Sequence, residues 1–128
     1  MNDDIDLARK TLEHAFWAAH YHEEKLEEAH KKLGLVTVLL ARAQFTFSQQ
    51  KALAIYNEDE DGEDLSSAED LAMHLCGDAL DSIKYHEEEL ASAHREVAAA
   101  KALILRAGLG GEISFAEAEA TAKKRLAE

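Results

Sequence analysis

The side chains best equipped for chemistry sit in a phrase that occurs twice. YHEEKLEEAH occupies residues 21–30 and YHEEELASAH residues 85–94. Each copy has a tyrosine, a histidine, two glutamates and, eight positions after the first histidine, a second one. Imidazole nitrogens and carboxylate oxygens are ordinary ligands of Zn²⁺ and similar divalent cations. Brought face to face, the copies would offer His22, His86, Glu23 and Glu87 as a four-ligand set. Without a metal, two neutral imidazoles in one core would resist charging together and act as a proton-sensitive pair. A third reading needs no ligand, since a polar residue in an apolar helix seam fixes register.

His30 and His94 stand about 12 Å further along a helix and about 80° around it, so neither chelates with its own helix's first histidine. Glu27-Glu28-Ala29-His30 contains the Glu-x-x-His spacing used in di-iron bundles. The second copy has Ala91 in the place of Glu27, which removes a symmetric di-iron centre from a single chain.

The elements that must carry these phrases follow from the repeat. Residues 6–43 set against 70–107 give 14 identities in 38 positions, among them Asp6-Leu7-Ala8 with Asp70-Leu71-Ala72 and Leu39 with Leu103. That is the mark of an internal duplication. Allowing four inserted residues, Phe45-Thr46-Phe47-Ser48-Gln49 matches Ile113-Ser114-Phe115-Ala116-Glu117. Each reads as an apolar residue, a hydroxyl N-cap and Gln or Glu three positions later, a capping box that opens a helix. GLGG at 108–111 supplies the break before the second box, and Ser66 with Glu69 forms another.

The spacing therefore predicts long helices at about 4–44 and 67–107, and short capped helices at about 47–57 and 115–127. An acidic loop at 58–65 joins two repeats of a single helical domain, about 4–57 and about 67–127. The boundary at 44–47 stays open, because the first long helix can equally run on to 57. Apolar residues at Ile5, Leu12, Ala19, Leu26, Leu33 and Leu40, and at Ala8, Ala15, His22, Ala29, Val36 and Ala43, form a heptad seam. The second helix repeats it through Cys76, Ile83, Leu90, Val97 and Ile104, and through Ala72, Ala79, His86, Ala93, Ala100 and Ala107.

A 40-residue helix is about 60 Å long, and a short helix plus an eight-residue loop cannot span that distance back. The seams should thus meet antiparallel, with residue i near 108 − i. The expected fold is all-α: an internally duplicated antiparallel coiled-coil hairpin of two long helices, each followed by a short capped helix. Leu33 to Leu40 is apolar nearly all round, so the short helices or a second subunit should cover its outer face, the latter giving a homodimeric bundle.

Composition narrows the function classes. The formal charge is −12, and NEDEDGED at 57–64 contributes half of it, so direct binding to nucleic-acid phosphates is not expected. An acidic chain of this kind can instead occupy a basic surface that normally holds nucleic acid. The single cysteine, Cys76, lies in the seam and fits a reducing, cytoplasmic setting as a small buried hydrophobe. MNDDIDLARK has no apolar run of a signal peptide, and no window is long and apolar enough for a membrane span.

No Ser–His–Asp pattern, phosphate-binding glycine loop or Cys-x-x-Cys supports an enzyme. The expectation is a non-enzymatic helical interaction protein, a scaffold, adaptor or inhibitor binding a protein partner through its long helix faces. An acidic nucleic-acid mimic and a His/Glu metal-binding or pH-sensing bundle are the alternatives. Tyr21, Tyr85, Arg42 and Arg106, duplicated off the seam, are candidate contacts. So is Trp17, whose counterpart is Asp81 and which could equally pack beneath a short helix.

Overall fold

The computed structural model describes residues 2–42, 52, 53, 56 and 68–128. Three α-helices of regular length lie among them: α1 from Asn2 to Arg42, α2 from Ala68 to Arg106 and α3 from Phe115 to Ala127. Asp3 and Asp4 in the first turn of α1, and Arg42 and Arg106 in the last turns of α1 and α2, have the signs that favour each helix end. The start of α1 and both ends of α2 match the expected bounds within two residues, and α3 matches at both ends. The expected boundary at 44–47, most of the short helix at 47–57, the acidic loop and the Ser66–Glu69 box lie outside the described residues. Ala52, Leu53 and Tyr56 are described and helical.

The α2–α3 connection shows how local chemistry ends one helix and begins the next. Gly108 adopts φ 75°, a conformation that costs glycine little. Its N–H donates to the Leu105 carbonyl at 3.1 Å, and the Leu109 N–H donates to the Ile104 carbonyl at 3.0 Å. These two bonds satisfy carbonyls left over at the helix end, the Schellman arrangement. Leu109 then folds back onto the cluster that contains Ile104. Five residues later the Ser114 hydroxyl accepts the Glu117 N–H at 3.2 Å, the expected N-cap of α3.

The chain divides into two compact units, and these do not coincide with the sequence repeats. Unit 1 comprises residues 1–24 and 87–128; unit 2 comprises 25–86. Each takes part of α1 and part of α2, and the division falls inside the repeated ten-residue phrase in both helices.

In unit 1, Leu12, Ala15 and Phe16 of α1 meet Val97, Ala100 and Ile104 of α2, with Ala118 and Ala122 of α3 closing the cluster beside Ile113. The two long-helix segments run antiparallel, since Asp4 and Leu7 share a groove with Leu103 and Ala107, whereas Lys10 and His14 share one with Glu96 and Ala99. In unit 2, Val36 and Leu40 of α1 pack with Met73 and Cys76 of α2 and with Ala52. Lys32 donates to Asp78 at 2.8 Å, two positions from Cys76, the partner a strict 108 − i register would give. Direction and register in each unit are therefore those expected to within half a turn.

The seam is where the heptads place it. Leu12, Ala15, Ala19, Ala29, Val36 and Leu40 on α1, and Cys76, Ala79, Ile83, Ala93, Val97, Ala100 and Ile104 on α2, are buried. Burying a leucine or valine side chain fully is worth about 1.5–3 kcal/mol. Ala107 is exposed, because the backbone has already entered the Gly108 turn. The core also extends beyond the seam to Phe16 and Met73, which face α3 and the Ala52 stretch respectively.

Candidate interaction surface

Each unit has one covered flank and one open flank. In unit 1 α3 covers the side that carries Glu13 and Phe16. Arg125 approaches Glu13 at 3.5 Å, and His20 Nε2 lies 3.1 Å from Glu119, with Glu23 at 3.8 Å from its other ring nitrogen. Lys101 sits between two aromatic rings, 5.2 Å from the centre of Phe16 and 5.5 Å from that of Phe115. Apolar burial, the Arg125–Glu13 ion pair, the His20–Glu119 hydrogen bond and the Lys101 cation–π contacts thus hold α3 in place. In unit 2 the covered flank is closed by a different device. A Cβ placed on Gly77 would collide with the Ala52 carbonyl oxygen and lie 2.5 Å from Tyr56 Cβ. The missing side chain is what lets Ala52 and Tyr56 approach α2 so closely.

The open flanks carry leucines. Unit 1 has a groove of about 330 Å³ lined by Leu7, Ala8, Ala100 and Leu103 among others, and an adjoining one of about 480 Å³ beside His14 and Ala99. Leu7 is 66% and Leu103 69% exposed. In unit 2, Leu35, Leu39, Leu71 and Leu75 are 63%, 54%, 51% and 38% exposed. The register set by Lys32 and Asp78 places Leu35 level with Leu75 and Leu39 level with Leu71. The residues correspond: Leu7 stands 64 positions before Leu71, and Leu39 64 before Leu103. Each unit therefore exposes one copy of each repeated leucine. These leucines are absent from the sequence-based candidates. Their signal was an identity between repeats at positions off the seam, where core packing does not require leucine.

The sequence-based candidates fall in separate places. Trp17, half-buried, packs against the unit 1 cluster that α3 closes, and stacks on Tyr21 with ring centres 5.1 Å apart. Tyr21 meets His22 edge-on at 5.0 Å, and Tyr85 meets His86 in the same way at 4.9 Å. With His14 stacked on Trp17 at 6.2 Å, α1 carries a run of four rings in unit 1. Arg42 and Arg106 are exposed at the ends of α1 and α2. Of the candidate cation ligands, His22, Glu23 and Glu87 belong to unit 1 and His86 to unit 2. Among the described residues no group of three or more His, Cys, Asp or Glu is placed to hold a metal ion.

Cys76 is fully buried, and loss of solvent pushes its thiol pKa above the ordinary value. That is the behaviour of a packing residue rather than a nucleophile. Among the described residues no helix is long and apolar enough to cross a membrane. Compared with protein-family models, with curated proteins and with solved structures, the chain matches none.

Proposed function

We propose that this chain is a non-enzymatic helical interaction protein, a scaffold, adaptor or inhibitor that works through the open flanks of its long helices. The observation that carries this reading is the repeated leucine pair, exposed in both units. Exposed leucines at level positions on adjacent helices form an apolar strip suited to a partner helix. Position 7 and its counterpart 71, and position 39 and its counterpart 103, kept leucine while most other surface positions of the repeats diverged. Arg42 and Arg106, also matched between the repeats, follow three residues after Leu39 and Leu103 and supply a charged rim.

Capture of binding proteins from an extract of expressing cells tests the reading. Proteins held by the wild-type chain should be lost on combining Leu7→Glu with Leu103→Glu, or Leu39→Glu with Leu71→Glu. They should be retained when Glu58, Asp59, Glu60, Asp61, Glu63 and Asp64 are neutralised together. The reverse pattern would transfer the function to the acidic segment, as a mimic occupying a basic surface. An empty capture would defeat both.

A further inference from the structure

We propose that α3 is a releasable cover, and that the α1 face beneath it is a second docking site for a partner helix built like α3. The site is distinct from the leucine flanks and lies wholly within unit 1. The first observation is how lightly α3 is held. Of its 13 residues only Ala118 and Ala122 are buried, and an alanine contributes a single methyl of apolar area. The polar contacts beside them reach solvent. Arg125, next to Glu13, is 56% exposed, and Glu119, next to His20, is 41% exposed. The α3 half of each contact can therefore return to water at little cost. The end of α2 does not depend on α3 either, because its cap is closed by the Gly108 and Leu109 N–H groups.

The second observation is the face that α3 covers. Phe16 and Glu13 of α1 are both buried there, with Trp17 packed alongside. Lifting α3 would turn the Phe16 ring to water and take from Glu13 the guanidinium that meets it. An apolar face of this kind suits a partner, and the carboxylate within it selects one that brings a cation.

The third is that α3 itself displays the chemistry that fits. Ala118, Ala122 and Arg125 give a small residue, another four positions on and a cation three further. At those spacings the three share one side of a helix. A partner helix with this pattern can lay its small residues where Ala118 and Ala122 lie and offer its cation to Glu13.

A labelled peptide of residues 112–128, titrated into the full-length chain and followed by fluorescence anisotropy, is the test. Tethering holds α3 at an effective concentration near ~1 mM, so the wild type should bind the peptide weakly. Ala118→Glu with Ala122→Glu in the chain forces charge into the contacts of α3 and should raise affinity for the unchanged peptide at least about tenfold. Adding Phe16→Ala to that variant, or Arg125→Ala to the peptide, should weaken binding at least about threefold. Circular dichroism checks that the double variant keeps its long helices, and a folded double variant that ignores the peptide overturns the docking site. Native-state hydrogen exchange of the wild type needs no variant, and decides alone if the double variant unfolds. Amides of α3 should exchange at least about tenfold faster than those of Leu12, Ala15 and Phe16. Exchange of α3 in step with them overturns the releasable cover. A wild-type dimer in sedimentation that the double substitution dissolves would seat α3 of a second copy on the face, and overturns the partner helix as occupant. None of these variants changes a leucine of the open flanks, so a failure here is separate from that of the capture experiment.

Discussion

Positions 13 and 77 lie 64 residues apart, at the same place in the two repeats, yet they solve the same packing task by opposite means. In unit 1, Glu13 is buried beneath α3 and meets Arg125. In unit 2, Gly77 removes its side chain altogether, so that Ala52 and Tyr56 can lie against the helix backbone. Both close one flank of an antiparallel helix pair. A buried carboxylate tolerates a neighbour that brings a cation and some distance, whereas a glycine demands one that fits by shape alone. The unit 1 contact is therefore partly electrostatic, whereas among the described residues the unit 2 contact rests on close backbone approach at Gly77 and on the Tyr56–His74 ring contact.

That contrast can be broken at the cores first. Leu12→Ala and Met73→Ala each empty a fully buried site, one per unit, and each should cost about 2–5 kcal/mol in urea unfolding. Native-state hydrogen exchange should then show unit 1 amides loosened by the first change and unit 2 amides by the second. Equal loosening of both units by either change would mean that they are one cooperative body.

Gly77→Ala comes next. The added methyl gains helix propensity, about 1 kcal/mol, but meets a backbone oxygen that has no rotamer to yield. A net loss of about 1–2 kcal/mol is expected, read as a lower urea midpoint. Unchanged or higher stability would show that Ala52 and Tyr56 do not rest on Gly77. Its counterpart test is Arg125→Ala, which strands Glu13 in a buried site. Arg125 is itself more than half exposed, so the loss should be near 1 kcal/mol rather than the 3–5 kcal/mol of a fully buried pair. It should shrink when Glu13→Gln is added, and a double-mutant cycle measures that coupling.

The smallest effect concerns pH. Cys76 has a folded pKa raised above its unfolded value by burial. Its contribution to stability is present below the unfolded thiol pKa and declines as pH rises through and beyond it. A thermal scan series from pH 7.5 to 10 should show wild-type stability falling relative to Cys76→Ala above about pH 8.5. Parallel curves would mean that the thiol reaches solvent.

What was legible in the residues was mostly local. Ser114 and Glu117 announced the start of α3, and GLGG the end of α2, because caps and left-handed turns are decided within a few residues of chain. The seam was legible because heptad spacing records which stripe is buried. Which flank of the seam would be covered was not, since that depends on where α3, Ala52 and Tyr56 come to lie. Trp17 illustrates the limit, since its burial against the α3-closed cluster becomes visible only with α3 in place. In the histidine phrases, the strongest chemical signal in the chain, His22 and His86 each lie edge-on to the tyrosine beside them.

The division of the chain also bears on the order in which its parts assemble. Unit 2 is one continuous stretch, whereas unit 1 must join residues 1–24 to 87–128 across everything between. Closing a longer loop costs more entropy before any contact rewards it, so contacts near in sequence form faster than distant ones. Unit 2 should therefore be the early-forming part, and α1 and α2, each continuous from one unit into the other, would extend from it. The first 24 residues leave the ribosome well before their partners on α2 and α3 exist. Their leucine and alanine stripe must wait, unpaired, for the last third of the chain to be made.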